Sequence, residues 1–171
     1  KLRAGEADCA IGTFDERADG IRREMLAQDA LAVFCAPSSP LAKLKRVRWR
    51  DLEDHRLVML TRDSTIRSLT DRHLAAAGIA SGKPLYEVSQ MTTAIMLVEA
   101  GLGAAVLLAY IWSFARDRQI VSRPLIEPQV KRSLYLIQPD NRSLSPAAEG
   151  FARLLRARSG DREAFGALLE R

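Results

Sequence analysis

The sequence predicts an α/β fold in two lobes, and three observations carry that reading. Short apolar runs bounded by glycine or proline alternate with stretches of helical periodicity, as strands and crossover helices do. Prolines gather twice, near 36–40 and near 124–130, and mark two crossings of the chain between lobes. The stretch VEAGLGAAVL, residues 98–107, reads as an apolar helix stopped by Gly101 and followed at once by a buried strand. Such alternation favours largely parallel strand pairing.

The elements follow in order. Ala7 to Gly12 reads as a short buried strand and Arg17 to Gly20 as a polar turn. Met25 to Ala36 holds a second strand, because Ala30 to Cys35 are continuously apolar. Pro37 and Pro40 then break regular structure, since each fixes φ and removes a donor. Lys43 to Asp54 is basic around Trp49. It reads either as a solvated loop and short helix with Trp49 and Leu52 turned inward, or as a grip for a nucleic-acid strand. Leu57 to Leu60 is a third strand. Thr65 to Ala77 is a helix with Ile66, Leu69, His73, Leu74 and Ala77 on one face, ended by Gly78. Leu85 to Ser89 is a strand and Thr92 to Ala100 a helix, with Thr92, Ile95, Met96 and Val98 at helical spacing. Ala104 to Ala109 contain no polar residue, as a strand covered on both faces requires. A short helix over Ile111 to Arg118 and strands over 120–126 and 133–137 follow. Ser145 is a natural N-cap with Pro146 in the first helical position, and the helix it opens buries Phe151, Leu154 and Leu155. Asp161 can cap a last short helix.

Composition bounds the chemistry. The 171 residues are 47% hydrophobic and 27% charged, enough for a packed core, and the net charge of +5 does not by itself argue for nucleic acid. No apolar run approaches the ~20 residues of a membrane helix, and residues 1–10 carry no signal-peptide pattern, so a cytoplasmic site is the default. Cys9 and Cys35 lie in apolar runs and read as small buried hydrophobes rather than a redox pair. Two Cys and two widely spaced His make no plausible zinc site. His73 reads as a packed helix residue. Gly101-Leu102-Gly103 follows a helix, so it is no dinucleotide fingerprint. No catalytic constellation is visible, and neither cofactor nor metal is expected.

Gly5 to Gly12 (GEADCAIG), Ser39-Pro40-Leu41-Ala42 and Val98 to Leu107, taken at this order and spacing, resemble the effector-binding domain of LysR-type transcriptional regulators. Trp49 to Leu52, Ser64 to Arg67, and Leu144 to Ala148 with Phe151 extend the resemblance to residues 5 to about 155. Ser39 stands where the family usually has His, and Ala109 near where it usually has Pro. Asp8 resembles the family's acidic residue after Gly-x-Ala; a lone carboxylate near a strand start is usually structural.

The resemblance implies a two-lobe, periplasmic-binding-protein-like (type 2) fold. Residues 1–36 would form a partial first lobe and 37–127 the second. Residues 128–158 would return to the first with the C-terminal helix, and 159–171 would form a tail. The chain opens on Lys1, and too few residues precede Ala7 for the family's opening strands and helix, so the first lobe is expected to be incomplete. The family's winged helix-turn-helix domain is likewise expected to be missing, which leaves DNA binding to that domain. A small, anionic effector is expected between the lobes. Polar strand ends beside helix starts would contribute Thr13, Ser64, Thr65, Gln90, Met91 and Thr92. Ser64 and Thr92 can equally be plain N-caps. Arg62 and Arg67 either add positive potential or lie in solvent. Self-association is expected from the family's dimers. A solute-binding protein of similar lobes, or an enzyme on the same scaffold, are the alternatives.

Overall fold

The computed structural model describes residues 2, 4–13, 19–80 and 84–158. They form two compact units, Ala30–Val130 and a smaller one built from the segments before Ala30 and after Val130.

The larger unit is a mixed sheet with helices. Its strands are the second half of β2 (Ile21–Cys35), β3 (Val47–Arg48), β4 (Leu57–Leu60), β5 (Tyr86–Val88), β6 (Ala104–Leu108) and β7 (Val121–Ile126). β2 lies between β6 and β7, antiparallel to both, with Val33 opposite Val106 on one side and Arg123 on the other. β4 runs parallel to β5 and to β6, and β3 parallel to β7. The expected, largely parallel pairing therefore holds for the crossovers through α1 (Thr65–Ala76) and α2 (Met91–Glu99) but not for β2. β2 is not joined to either partner by a single strand–helix–strand unit, the connection that requires parallel pairing, since other strands intervene in the chain.

Both helices stop for the same reason. Gly78 and Gly101 take φ of +81° and +74°. Each sits in a pair of back-bonds, Ile79 N–H to Leu74 O with Gly78 N–H to Ala75 O, and Leu102 N–H to Leu97 O with Gly101 N–H to Val98 O. This is the Schellman motif, and it fills carbonyls the helix end would leave open. β6 follows α2 at once and is buried along its whole length, as its unbroken apolar run requires. Of the α2 residues, Ala94, Ile95 and Val98 are buried and Met96 is half exposed, so Met96 is not a core residue. The short helix expected at 111–118 is a 3-10 turn (Ala109–Ile111) running into one α-turn, α3 (Trp112–Ala115).

The basic stretch resolves plainly. Trp49 opens a 3-10 turn, is 1% exposed, stacks on His73 with ring centroids 5.0 Å apart, and donates Nε1–H to the Pro128 carbonyl at 3.0 Å. The inward-turned reading is correct, and this stretch leaves no aromatic outside to stack on a base. Ser39 caps the turn at Pro40–Lys43, accepting from Leu41 N–H at 3.3 Å. Leu31 N–H donates to Val130 O at 2.9 Å, so the chain enters and leaves this unit side by side.

The smaller unit is a three-stranded sheet, β1 (Ala10–Gly12), β8 (Lys131–Pro139) and the first half of β2, covered by α4 (Pro146–Arg158). Ser145 Oγ accepts from Ala148 N–H at 3.3 Å and donates to Asp8 Oδ2 at 2.7 Å, which gives Asp8 a structural partner. α4 buries Ala152 and Leu155 against Leu26 and Leu136. Phe151 and Leu154 are 42% and 58% exposed, contrary to expectation, because the narrow sheet accepts only one stripe of the helix.

β2 is longer than its apolar core suggests and passes from one unit to the other at Asp29–Ala30. The sequence places the first crossing at the prolines of 36–40. Ala30 to Cys35 instead belong to the larger core, where Leu31 to Cys35 are buried. The second boundary falls at Val130–Lys131. Of the expected polar turn at 17–20, only Asp19 and Gly20 are described, and they form a turn. Arg17, the expected tail at 159–171 and its cap Asp161 lie outside the described residues.

Candidate functional site

The larger unit brings two helix starts to one sheet edge. β4 and β5 are parallel neighbours, with Leu60 level with Val88, and Thr61 N–H continues the ladder to Val88 O at 3.0 Å. The chain leaves β4 through Thr61 to Ser64 into α1, and leaves β5 through Ser89 and Gln90 into α2. A tight turn, Ser64 N–H to Thr61 O at 2.9 Å, sets the start of α1. The first N–H groups of each helix, at Thr65 to Arg67 and Met91 to Thr93, have no intrahelical acceptor.

Neither helix is capped by a side chain. Ser64 and Gln90 occupy the N-cap positions with extended backbones, and neither side chain accepts a bond from its helix. Ser64 is therefore no hydrogen-bonded cap, and Thr92 is no cap at all but the second residue of α2. Ser64 and Thr92 are half-buried, Thr65 and Gln90 are exposed, and Met91 packs partly against the core. The structure thus brings Ser64, Thr65, Gln90, Met91 and Thr92 to one edge. Thr13 belongs to the smaller unit, where Arg132 Nη2 donates to its hydroxyl at 2.7 Å.

The charges at this edge differ from the sequence reading. Arg67 is 3% exposed, bonded to Leu60 O at 2.8 Å, Glu87 Oε2 at 2.9 Å and Asp71 Oδ2 at 2.8 Å. Burial disfavours its charge, but the bonds to Glu87 and Asp71 outweigh burial and hold the guanidinium above its usual range. Its charge is spent inside and adds no open potential. Arg62 is exposed. The Thr61 hydroxyl, with Asp63's own N–H, holds the Asp63 carboxyl below the usual carboxylate range. The edge is polar and mixed in charge, and the donors it offers are backbone N–H groups and hydroxyls. The helix spacing Ile66, Arg67, Thr70, Leu74 would have shown Arg67 on the buried stripe, with Asp71 four residues on to pair it. Arg132 had no such signal.

Other features carry less. His73 lies against Trp49, and burial, then Arg72, holds its imidazole below its ordinary pKa. Burial raises the pKa of both thiols, Cys9 and Cys35, so neither is an activated nucleophile. Among the described residues no three His, Cys, Asp or Glu side chains are grouped to hold a metal, and no helix is long and apolar enough to cross a membrane. A shallow groove of about 550 Å³ lies along β7 under Ala109 and Trp112, separated from the β4–β5 edge by β6 and β2.

An α/β ligand-binding domain with donor-rich helix starts is the class these features define. The chain belongs to the LysR substrate binding domain family, which matches it over residues 1–160. It is 32% identical over 155 residues to the "Uncharacterized HTH-type transcriptional regulator YbhD" of Escherichia coli (strain K12), covering 88% of this chain and 47% of that protein. It is 29% identical over 153 residues to the "Transcriptional dual regulator GltC" of Bacillus subtilis (strain 168), covering 88% of this chain and 50% of that one. The chain thus spans about half the length of the curated relatives it matches, and these are regulators rather than enzymes. Among solved structures, the effector binding domain of QuiR in complex with shikimate matches with a TM-score of 0.74 at 24% identity, over 93% of this chain and 75% of that one. The regulatory domain of Synechocystis PCC6803 CcmR in complex with 2-PG matches with a TM-score of 0.77 at 17% identity, over 94% and 77%. The fold is therefore the type 2 periplasmic-binding-protein-like fold of LysR effector-binding domains.

Proposed function

We propose that this chain is the ligand-sensing domain of a cytoplasmic LysR-type transcription factor, and that Ser64, Thr65, Gln90, Met91 and Thr92 bind a small anionic effector. Thr13, whose hydroxyl accepts from Arg132 Nη2, is proposed as an effector contact within the smaller unit. The whole regulator would bind DNA through a separate helix-turn-helix domain and act as a homo-oligomer. One observation carries the site: two helix starts without side-chain caps open at neighbouring strand ends, so their orphan N–H groups and dipoles favour a carboxylate or phosphate there. The relatives named as regulators, and the neighbours described with shikimate and 2-PG, support the sensing role.

The test is a thermal-shift screen of small carboxylates and phosphorylated acids, followed by titration of the hit into wild type, Ser64→Ala and Thr92→Ala. Each variant is expected to lose roughly 0.5–1.5 kcal/mol of affinity for one neutral hydrogen bond. Ser64→Ala is expected to leave stability within about 0.5 kcal/mol, because its side chain makes no cap bond; a bonded cap would cost about 0.5–2 kcal/mol. Unchanged affinity in both variants would move the site elsewhere.

A further inference from the structure

We infer that Arg67 is a positioning residue for this edge: one guanidinium locks the end of β4, the end of β5 and the first turn of α1 into a single arrangement. The inference rests on reading the edge as the effector site.

Three bonds make the case. Nη1 reaches both the Leu60 carbonyl and Glu87 Oε2, at 2.8 and 2.9 Å, and Nε reaches Asp71 Oδ2 at 2.8 Å. Leu60 is the last residue of β4, and its peptide leads directly into Thr61 to Ser64. Glu87 lies on β5, three residues before the N-cap position Gln90. Asp71 lies one turn further along α1. The two segments that carry the candidate contacts therefore share one fixed donor fork. They are distant in sequence and are otherwise joined at this edge by the bond from Thr61 N–H to Val88 O.

The geometry suits arginine and not lysine. A planar guanidinium offers donors in fixed directions, whereas an ammonium is a compact point charge that does not reproduce the fork. Burial makes the arrangement cooperative. A guanidinium with 3% exposure is costly unless its donors are filled, so the acceptors are held together or lost together. Glu87 is 38% exposed and offsets the charge from the solvent side. Asp71 instead turns both carboxylate oxygens inward, Oδ2 onto Arg67 Nε and Oδ1 buried without a hydrogen-bond partner, so Arg67 supplies the one hydrogen bond shown for that carboxylate among the described residues. The guanidinium is thus spent on geometry, and the effector would meet backbone N–H groups whose directions Arg67 fixes.

The experiment is amide hydrogen exchange by mass spectrometry on the whole chain, comparing wild type, Glu87→Gln and Arg67→Lys. Peptides over 60–65 and 88–93 report the two segments, and β6 is the internal reference. Glu87→Gln changes one partly exposed side chain on β5, so it keeps the test alive if Arg67→Lys folds poorly. The expected result is a roughly tenfold faster exchange in both segments for both variants, from loss of a charge-assisted bond, with β6 unchanged. A rise confined to 88–93 in Glu87→Gln would overturn the coupling. So would Arg67→Lys exchanging like wild type, or a rise of equal size in β6, which would make Arg67 a general stabiliser. No ligand enters this measurement, so its failure is separate from failure of the effector titration.

Discussion

Replacing Gly103 with Ala should destabilise the larger unit by about 1–3 kcal/mol, and the reason is contact rather than backbone angle. A Cβ at Gly103 would lie 2.7 Å from the Arg56 carbonyl oxygen, 3.2 Å from its carbon and 3.5 Å from Val58 Cγ2. The nearest of these is backbone, so no side chain can swing aside. The same oxygen accepts from Ala104 N–H at 2.8 Å, at the point where β6 joins β4 with Leu57 opposite Ala104. Relief requires β6 to back away, which strains the packing by about 1–3 kcal/mol and weakens a bond worth about 0.5–1.5 kcal/mol. The stiffer unfolded chain returns about 0.4–1 kcal/mol. Gly101 is the control. It has φ +74° and open space around its Cβ direction, so Gly101→Ala should cost only the left-handed conformation, about 1–2 kcal/mol. Asn tolerates that conformation, so Gly101→Asn should recover part of the loss, whereas Gly103→Asn should be no better than Gly103→Ala. Urea unfolding at about 25 °C of the four variants and wild type measures this. Gly103→Ala within about 0.5 kcal/mol of wild type, or Asn tolerated better than Ala at 103, would refute the close approach.

Three further outcomes are expected. His73 has a folded-state pKa below its unfolded value, so folding opposes its protonation. Stability is full above the ordinary histidine value of about 6.5 and falls as pH drops through it towards the folded pKa; His73→Phe should flatten that slope in unfolding curves taken from about pH 7.5 to 5. Trp49→Phe should cost about 1–3 kcal/mol by the same unfolding assay, through the lost bond to Pro128 O and a smaller ring in a filled site, and no loss would deny the bond. Titration with duplex DNA at physiological salt should show no tight sequence-dependent binding by this chain, since Trp49 is buried and Arg48 is paired with Asp51; such binding would contradict the inward packing.

The parts of the fold written in short-range chemistry were legible. β4 and β6 are apolar runs with clear ends, and α1 and α2 end where glycine can take positive φ. What escaped depends on partners far along the chain. The first half of β2, with Arg22, Arg23 and Glu24, looks too charged for a strand until Arg156 is seen to meet Glu24 and Arg23 to lie over Tyr135. Phe151 and Leu154 look like core because periodicity cannot report how wide a sheet the helix covers. At the candidate edge, the residue types and the helix starts could be read from strand ends. The buried fork of Arg67 could not be, since two of its acceptors lie on β4 and β5 and only their pairing brings them together.

The bond from Leu31 N–H to Val130 O has a topological meaning. The polypeptide goes into the larger unit and comes out of it through one doorway, so Ala30–Val130 is an insert in a host rather than the next bead on a string. A short linker joining Val130 to Ala30 would close this insert into a ring, and new ends could then be opened at the exposed residues Glu53 and Asp54 with the order of its strands unchanged.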